Sequence, residues 1–397
     1  MKSSVKILYI SLSSVDANTS AALRNKALIK GLVSNGAVVD FLTISSQTSN
    51  SYYDKTVDKI DGVNIIRLNQ SDAYLSMVKQ DASLKGRLRK LILPFARKIY
   101  HSVNIFDNTM LIARKVSKDI LPLDCYDLII SSSDPKSSHI AAKRIIESGL
   151  KYGKWIQYWG DPLAIDITKK TLYPEWYVKK VEEKIITLAD KIVYVSPFTL
   201  KEQKKLFSKI SGKMEFQPIP YLEPKIFDVK KERVDRLTLA YFGDYHSKIR
   251  NIEAIYNYGK KSGNNVLIAG NSDFILQSTR NIDVYPRISQ REVSNFESKS
   301  DILVCILNKT GTQIPGKIYH YAATNKPVLV LLDGENKQEI ADYLKSFDRY
   351  VLCENNEDEI EKAVHEITMN QNKWEPSPFF SPKSIGGRFI KMIEELD

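Results

Sequence analysis

The chain has few cysteines, few histidines and no long apolar run, and each shortage closes a class of explanation. Cys125, Cys305 and Cys353 are far apart and odd in number, which excludes a disulfide-built scaffold and suits reduced thiols in a cytoplasmic protein. The five histidines include no two close in sequence, so no cluster has the spacing of a structural zinc site. No segment approaches the roughly 18 uninterrupted apolar residues of a spanning helix. The basic start, MKSSVK, overlaps only a short apolar run at residues 5–10, which reads as a first buried strand rather than a signal peptide. Neither GxGxxG nor GxxxxGK[ST] occurs, and IAGNSD (residues 268–273) holds a single glycine, which argues against an NAD enzyme or a P-loop NTPase. With no helix-turn-helix, RNA-binding signature or zinc module, nucleic acid is not an expected partner.

What is present is a rhythm. Strand candidates at residues 5–10, 37–43, 63–68, 126–131, 154–158 and 191–195 alternate with helical patterns such as residues 21–34. A second series follows at residues 237–242, 265–269, 282–285, 302–306, 328–332 and 350–352. Alternation of this kind predicts parallel sheets covered on both faces, and 397 residues exceed a typical single core. We therefore expect an N-terminal Rossmann-like domain at 1–216, a Pro- and charge-rich linker at 217–236, and a second Rossmann-like domain at 237–375. The tail and terminal helix, 376–397, have an apolar face of Ile385, Phe389, Ile390, Ile393 and Leu396 that needs a surface to cover. Two such domains leave a cleft between the carboxyl ends of their sheets, where ligands of open α/β sheets bind. The net charge of +11 favours an anionic ligand.

Two basic positions follow strands of the second domain. In GTQIPGKIYHYAATNKPVLVLL, Lys317 enters a short helix, residues 317–324, behind Pro315 and Gly316. A cation there opposes the helix dipole by roughly 0.3–1 kcal/mol, and an intervening phosphate reverses that penalty. In LAYFGDYHSKIRNIEA, Gly243 closes a strand and Arg250 stands at the entrance of the next helix with a fork suited to phosphate oxygens. Both also fit ordinary solvated side chains. In the first domain, WIQYWGDPLAIDI places Asp161 after a strand, to accept a sugar hydroxyl or to cap a turn. SSSDPKSSHIAAKRI places His139 inside a helix, where packing competes with catalysis. Residues 83–103, SLKGRLRKLILPFARKIYHSV, carry an apolar stripe flanked by lysines and arginines. That pattern fits an interfacial helix on an anionic membrane, or a helix packed on the sheet with a basic outer face.

In order and spacing these pieces resemble retaining glycosyltransferases of the GT-B fold, in the family 4-like group of bacterial surface-polysaccharide biosynthesis. The resemblance rests on Arg24 near the first helix, on WGDPL with Asp161, on LADKIVYVSPFTLKEQ, and most of all on QIPGKIYHYAATNKPVLVLL. It implies a transfer from a nucleoside-diphosphate sugar to a lipid-linked or oligosaccharide acceptor hydroxyl, with retention and without an essential metal or other cofactor. Arg250 and Lys317 would contact the diphosphate, with Gly243, Gly316, His320 and Tyr321 completing the nucleotide-sugar site. Asp161 and, less directly, His139 would serve the acceptor side. The terminal helix would cross back to the N-terminal domain, and the protein would work in the cytoplasm at the inner face of the cell membrane. One departure stands out: His320 occupies the place of the family's usual glutamate and lacks a carboxylate's two-oxygen grip on a ribose. A sugar-nucleotide epimerase of related fold and a catalytically inactive assembly protein are the competing readings.

Overall fold

The computed structural model describes residues 4–45, 53–54, 60–69, 104–166, 171–228, 236–370 and 374–394. The basic amphipathic segment at 83–103 lies outside the described residues. The chain forms two compact units. One takes in the chain up to Gln217, apart from a short piece around Asp54, together with the stretch from Gly386 onward; the other runs Pro218–Ile385.

The first unit holds seven strands: β1 (Lys6–Ile10), β2 (Val38–Ile44), β3 (Val63–Leu68), β4 (Cys125–Ser132), β5 (Lys151–Trp159), β6 (Lys191–Tyr194) and β7 (Met214–Phe216). They pair in the order β3-β2-β1-β4-β5-β6-β7, every pair parallel. The chain winds outward from β1 in one direction and then from β4 in the other, which opens a topological switch point between those two strands. The second unit repeats the plan with β8 (Thr238–Phe242), β9 (Asn265–Ala269), β10 (Ile282–Tyr285), β11 (Ile302–Ile306), β12 (Val328–Leu332) and β13 (Val351–Glu354). Their order is β10-β9-β8-β11-β12-β13, again all parallel, with the switch between β8 and β11.

Central strands such as β11, ILVCI, are buried at every residue because helices cover both faces. β5 begins at Lys151, before the apolar run that marks it in the sequence, because its polar first half pairs with Cys125–Leu128 at the edge of burial. The helix Ser20–Ser34 starts where Thr19 Oγ1 accepts from the Ala22 N–H at 3.2 Å, and ends at Asn35-Gly36, with Gly36 at φ 84°.

The terminal helix, Pro382–Glu394, buries Ile385, Phe389 and Met392. Phe389 meets Tyr158 of β5 edge-on at 5.2 Å. A Cβ on Gly386 would stand 2.3 Å from the Gly31 carbonyl carbon in the helix Ser20–Ser34. The close backbone approach explains the glycine. Before this helix, Pro378–Phe380 forms one 3-10 turn that buries Phe380 against Tyr319 and Phe347 of the second unit.

Candidate active site

In the second unit, polar and basic residues gather where β8 and β11 end. Arg250 is not at a helix entrance: the helix is Glu253–Lys261, and Arg250 lies in the preceding turn, its N–H bonded to His246 O. From there its Nε donates to Asn308 Oδ1 at 3.1 Å and its Nη1 to the Asp244 carbonyl at 2.9 Å. A Cβ on Gly243 would lie 3.3 Å from Tyr241 Oη and 3.7 Å from Arg250 Nη1, so Gly243 keeps the floor beneath the guanidinium open. The Asp244 carboxylate is taken by Arg287.

Lys317 opens the helix Lys317–Tyr321, which is shorter than its sequence suggests. Its ammonium lies 5.6 Å from the Tyr321 ring centroid, and no carboxylate of the described residues pairs with it. Burial lowers its pKa; Lys225 and Arg287 add to that, and Glu297 opposes it. Glu297 is instead bound by Lys225 at 2.6 Å, and Lys225 also donates to Ser294 Oγ. Cys305 of β11 feels both Arg250 and Lys317, so the two cations converge on one strand end, while burial pushes the thiol up to about 12. Four cations thus share the carboxylates of Asp244 and Glu297; Lys225 and Arg287 form the ion pairs, and Arg250 and Lys317 form none among the described residues. Gly316 has φ −58°, an ordinary helical value, so the backbone there does not demand glycine. Burial, then Lys317 and Lys225, push His320 down to about 3. It is a neutral ring whose buried Nε2 has no partner among the described residues.

In the first unit, a cavity of ≈ 320 Å³ is lined by Ser13, Thr19, Asp134, Pro135 and Lys136 from the segments after β1 and β4, and by Asp107 from the segment that precedes β4. Lys136 is its least expected member. Its side chain is only 8% exposed and binds Asp134 at 3.0 Å and Asp166 at 2.8 Å. Burial alone would neutralise this ammonium; Asp134, Asp166 and Asp161 outweigh it and hold the charge. Asp161 borders the same cluster. Burial, and then Asp134, push its carboxyl up to about 7, against the opposing pull of Lys136. Glu182, wholly buried and accepting from the Ala164 N–H at 2.6 Å, is also raised to about 7 by burial.

Arg24 is buried with its guanidinium 5.0 Å from the Tyr158 ring centroid. A Cβ at Gly160 would stand 2.3 Å from its Nη1, so a side chain there would displace the guanidinium. His139 does sit in a helix, Ser137–Glu147, but its ring has no exposed surface. It stacks on Trp159 at 4.2 Å. Ser131 Oγ accepts from Trp155 Nε1 at 2.9 Å and shares a hydrogen bond with His139 Nδ1 at 2.8 Å. Burial lowers its pKa well below the usual range. The packed reading of His139 therefore describes it, and direct contact with a reacting acceptor does not.

Sequence reasoning brought Arg250, Gly243, Lys317, Gly316, His320 and Tyr321 into one unit and Asp161 into the other. It passed over Lys136, Arg287, Lys225 and Asp166. The DPK triplet after β4 held the available signal for Lys136. Among the described residues no group of three His, Cys, Asp or Glu is placed to hold a metal ion. No helix of the described residues is long and apolar enough to cross a membrane.

Two Rossmann-like domains with parallel sheets of seven and six strands define the architecture of GT-B glycosyltransferases. No protein-family model matches the chain, and no curated protein matches it. Solved structures do. The catalytic domain of starch synthase IV from Arabidopsis thaliana, bound to ADP and acarbose, is similar at a TM-score of 0.60 and 10% identity, covering 99% of this chain and 98% of that one. Sucrose-phosphate synthase from Thermosynechococcus elongatus is similar at 0.53 and 14% identity, over 99% and 94%. A lipopolysaccharide outer-core galactosyltransferase, in its apo form, is similar at 0.53 and 13% identity, over 98% and 99%. At these identities the likeness establishes the fold.

Proposed function

We propose that the protein is a glycosyltransferase that moves a sugar from a nucleoside-diphosphate sugar to an acceptor hydroxyl. The observation that carries this reading is the pair of cations, Arg250 and Lys317, near the carboxyl ends of β8 and β11, neither of which forms an ion pair among the described residues. A diphosphate brings the charge they lack. As the bond between the anomeric carbon and the phosphate oxygen breaks, negative charge grows on that oxygen, and preorganised cations stabilise it. Gly243, Gly316 and Tyr321 shape this site, and neutral His320 offers its Nε2 to a nucleotide hydroxyl.

The acceptor belongs to the first unit, in the cavity beside Lys136. Asp161 orients the acceptor hydroxyl. His139 supports this wall from inside by stacking on Trp159, the last residue of β5. We further propose that transfer proceeds with retention, the departing phosphate oxygen accepting the hydroxyl proton on the face where the new bond forms. In this scheme the two cations do the work of a metal. A lipid-linked glycan intermediate in bacterial surface-polysaccharide synthesis, handled at the inner face of the cell membrane, fits the overall charge of +11 and the basic stripe of residues 83–103. Titration calorimetry with UDP, GDP and ADP tests the donor site. At least one diphosphate should bind the parent protein and lose most of its affinity in Lys317→Met; equal affinity in the folded variant would refute the assignment.

A further inference from the structure

Four large apolar or aromatic side chains stand in water within six residues: Leu172 (75% exposed), Tyr173 (41%), Trp176 (66%) and Tyr177 (38%). They form one surface. The Tyr173 and Tyr177 rings stack at 5.3 Å, and Trp176 meets Tyr177 edge-on at 5.7 Å. Other exposed apolar residues, such as Ile275 and Met369, have no such company in the sequence, and single ones are ordinary.

Topology fixes which side of the sheet carries this patch. The chain leaves the carboxyl end of β5, passes Asp161 and Asp166, and starts the helix Glu175–Ile186, which returns toward β6. Leu172–Tyr177 therefore lies on the carboxyl-end side of the first sheet. The cavity opens on that same side, lined by Asp134 and Lys136, and Asp166 of the same connection is bonded to Lys136.

We propose that Leu172, Tyr173, Trp176 and Tyr177 form a ledge that docks this unit onto an anionic lipid bilayer, beside the cavity assigned to the acceptor. Trp and Tyr are the side chains that settle at the level of lipid headgroups, apolar body inward and polar edge outward. Lys180 and Lys184 follow Trp176 at helical spacing and are exposed on its face, where their stems reach acidic headgroups. Glu175 and Glu183 are exposed on the same helix and balance these two lysines, so the preference for acidic headgroups comes from the +11 of the chain. That charge also disfavours a second copy of the chain as the occupant. Docking here depends on the acceptor reading only for its purpose, which is to bring a lipid-borne glycan to the cavity.

The test is vesicle binding, which needs no sugar donor, so it stands or falls separately from transferase activity. The full chain should bind vesicles of phosphatidylcholine containing phosphatidylglycerol more strongly than pure phosphatidylcholine. Leu172→Ser with Trp176→Ser should lower the partition coefficient at least about tenfold. Brominated lipid should quench the parent's tryptophan emission, and Trp176→Phe, which keeps an aromatic ring, should abolish most of that quenching, because Trp155 and Trp159 are buried and Trp374 is half-buried against Arg349 in the second unit. Absence of vesicle binding, equal binding by the folded double variant, unchanged quenching in Trp176→Phe, or a patch-dependent dimer in sedimentation would each overturn the proposal.

Discussion

Arg250 and Lys317 carry the donor chemistry, and each is a different kind of cation. Arg250 is held by neutral oxygens of Asn308 and Asp244 at 3.1 and 2.9 Å. Its fork is therefore aimed before any ligand arrives. Lys317 rests near the Tyr321 ring with no ion pair among the described residues, and burial makes its charge costly until an anion comes. Arg250→Gln and Lys317→Met should each cost on the order of 2–4 kcal/mol of transition-state stabilisation. That is roughly a 30- to 1000-fold loss in kcat/KM, with kcat falling as well as affinity. Steady-state kinetics on the folded variants check this, and near-parent values in both would remove the clamp. Asp161 makes a pH prediction. Its folded carboxyl, at about 7, holds its proton over a range where an unfolded Asp has already lost it, so the native state binds more protons there. Stability must then fall as pH rises from the ordinary carboxylate range through about 7. Asp161→Asn should gain on the parent at pH 8 in urea unfolding and lose that advantage at pH 4, and a pH-independent difference would contradict the burial argument. Arg250 and Asp161 stand out in the sequence because they sit in loops that follow apolar runs, and Lys317 because it opens a helix behind Pro315-Gly316. Lys136, Lys225 and Arg287 do not. Their partners lie 30, 72 and 43 residues away, and only the fold brings them together.

The elements that present these residues are short and depend on distant support. The helix Lys317–Tyr321 stops before residue 324, where the sequence pattern would carry it, because its end is capped from outside. Arg349, buried, points Nη2 at the carbonyls of Tyr321, Thr324 and Lys326, at 3.2, 2.7 and 3.0 Å. Arg349→Met would take the guanidinium donor from the Thr324 and Lys326 carbonyls, at about 1–3 kcal/mol for the worst placed, while the Tyr321 carbonyl keeps the Thr324 N–H and Oγ1. Unfolding midpoints should drop accordingly, and diphosphate affinity should weaken because the helix bearing Lys317 loses its anchor. A neutral result in both would show that the cap is idle. Most strands were visible as apolar runs bounded by turn residues, within a residue or two of their ends. The exceptions have physical causes: β5 starts with four residues that are half-exposed, and β7 has only three residues, too few to show a pattern.

At the scale of the whole molecule, the chain returns to its first unit after completing its second. Gly386 against Gly31 and Phe389 against Tyr158 are the contacts that hold this return. Gly386→Val would force a side chain into backbone 2.3 Å away, and overpacking of this sort costs about 1–3 kcal/mol or more. Thermal unfolding should reveal that loss, whereas a parent-like midpoint would mean that the helix docks elsewhere. From sequence the tandem sheets were plain, since two strand series flank one Pro-rich stretch. The resting place of the last helix was open from its residues alone, because an apolar face does not name the surface it covers. The central claim, that this molecule transfers sugar, is tested most directly by mass spectrometry. The parent and Lys317→Met are incubated with a panel of nucleotide sugars and lipid-linked acceptors. The account predicts an acceptor enlarged by one sugar residue with release of the nucleoside diphosphate, strongly reduced in the variant. An isomerised nucleotide sugar with the acceptor untouched would contradict it.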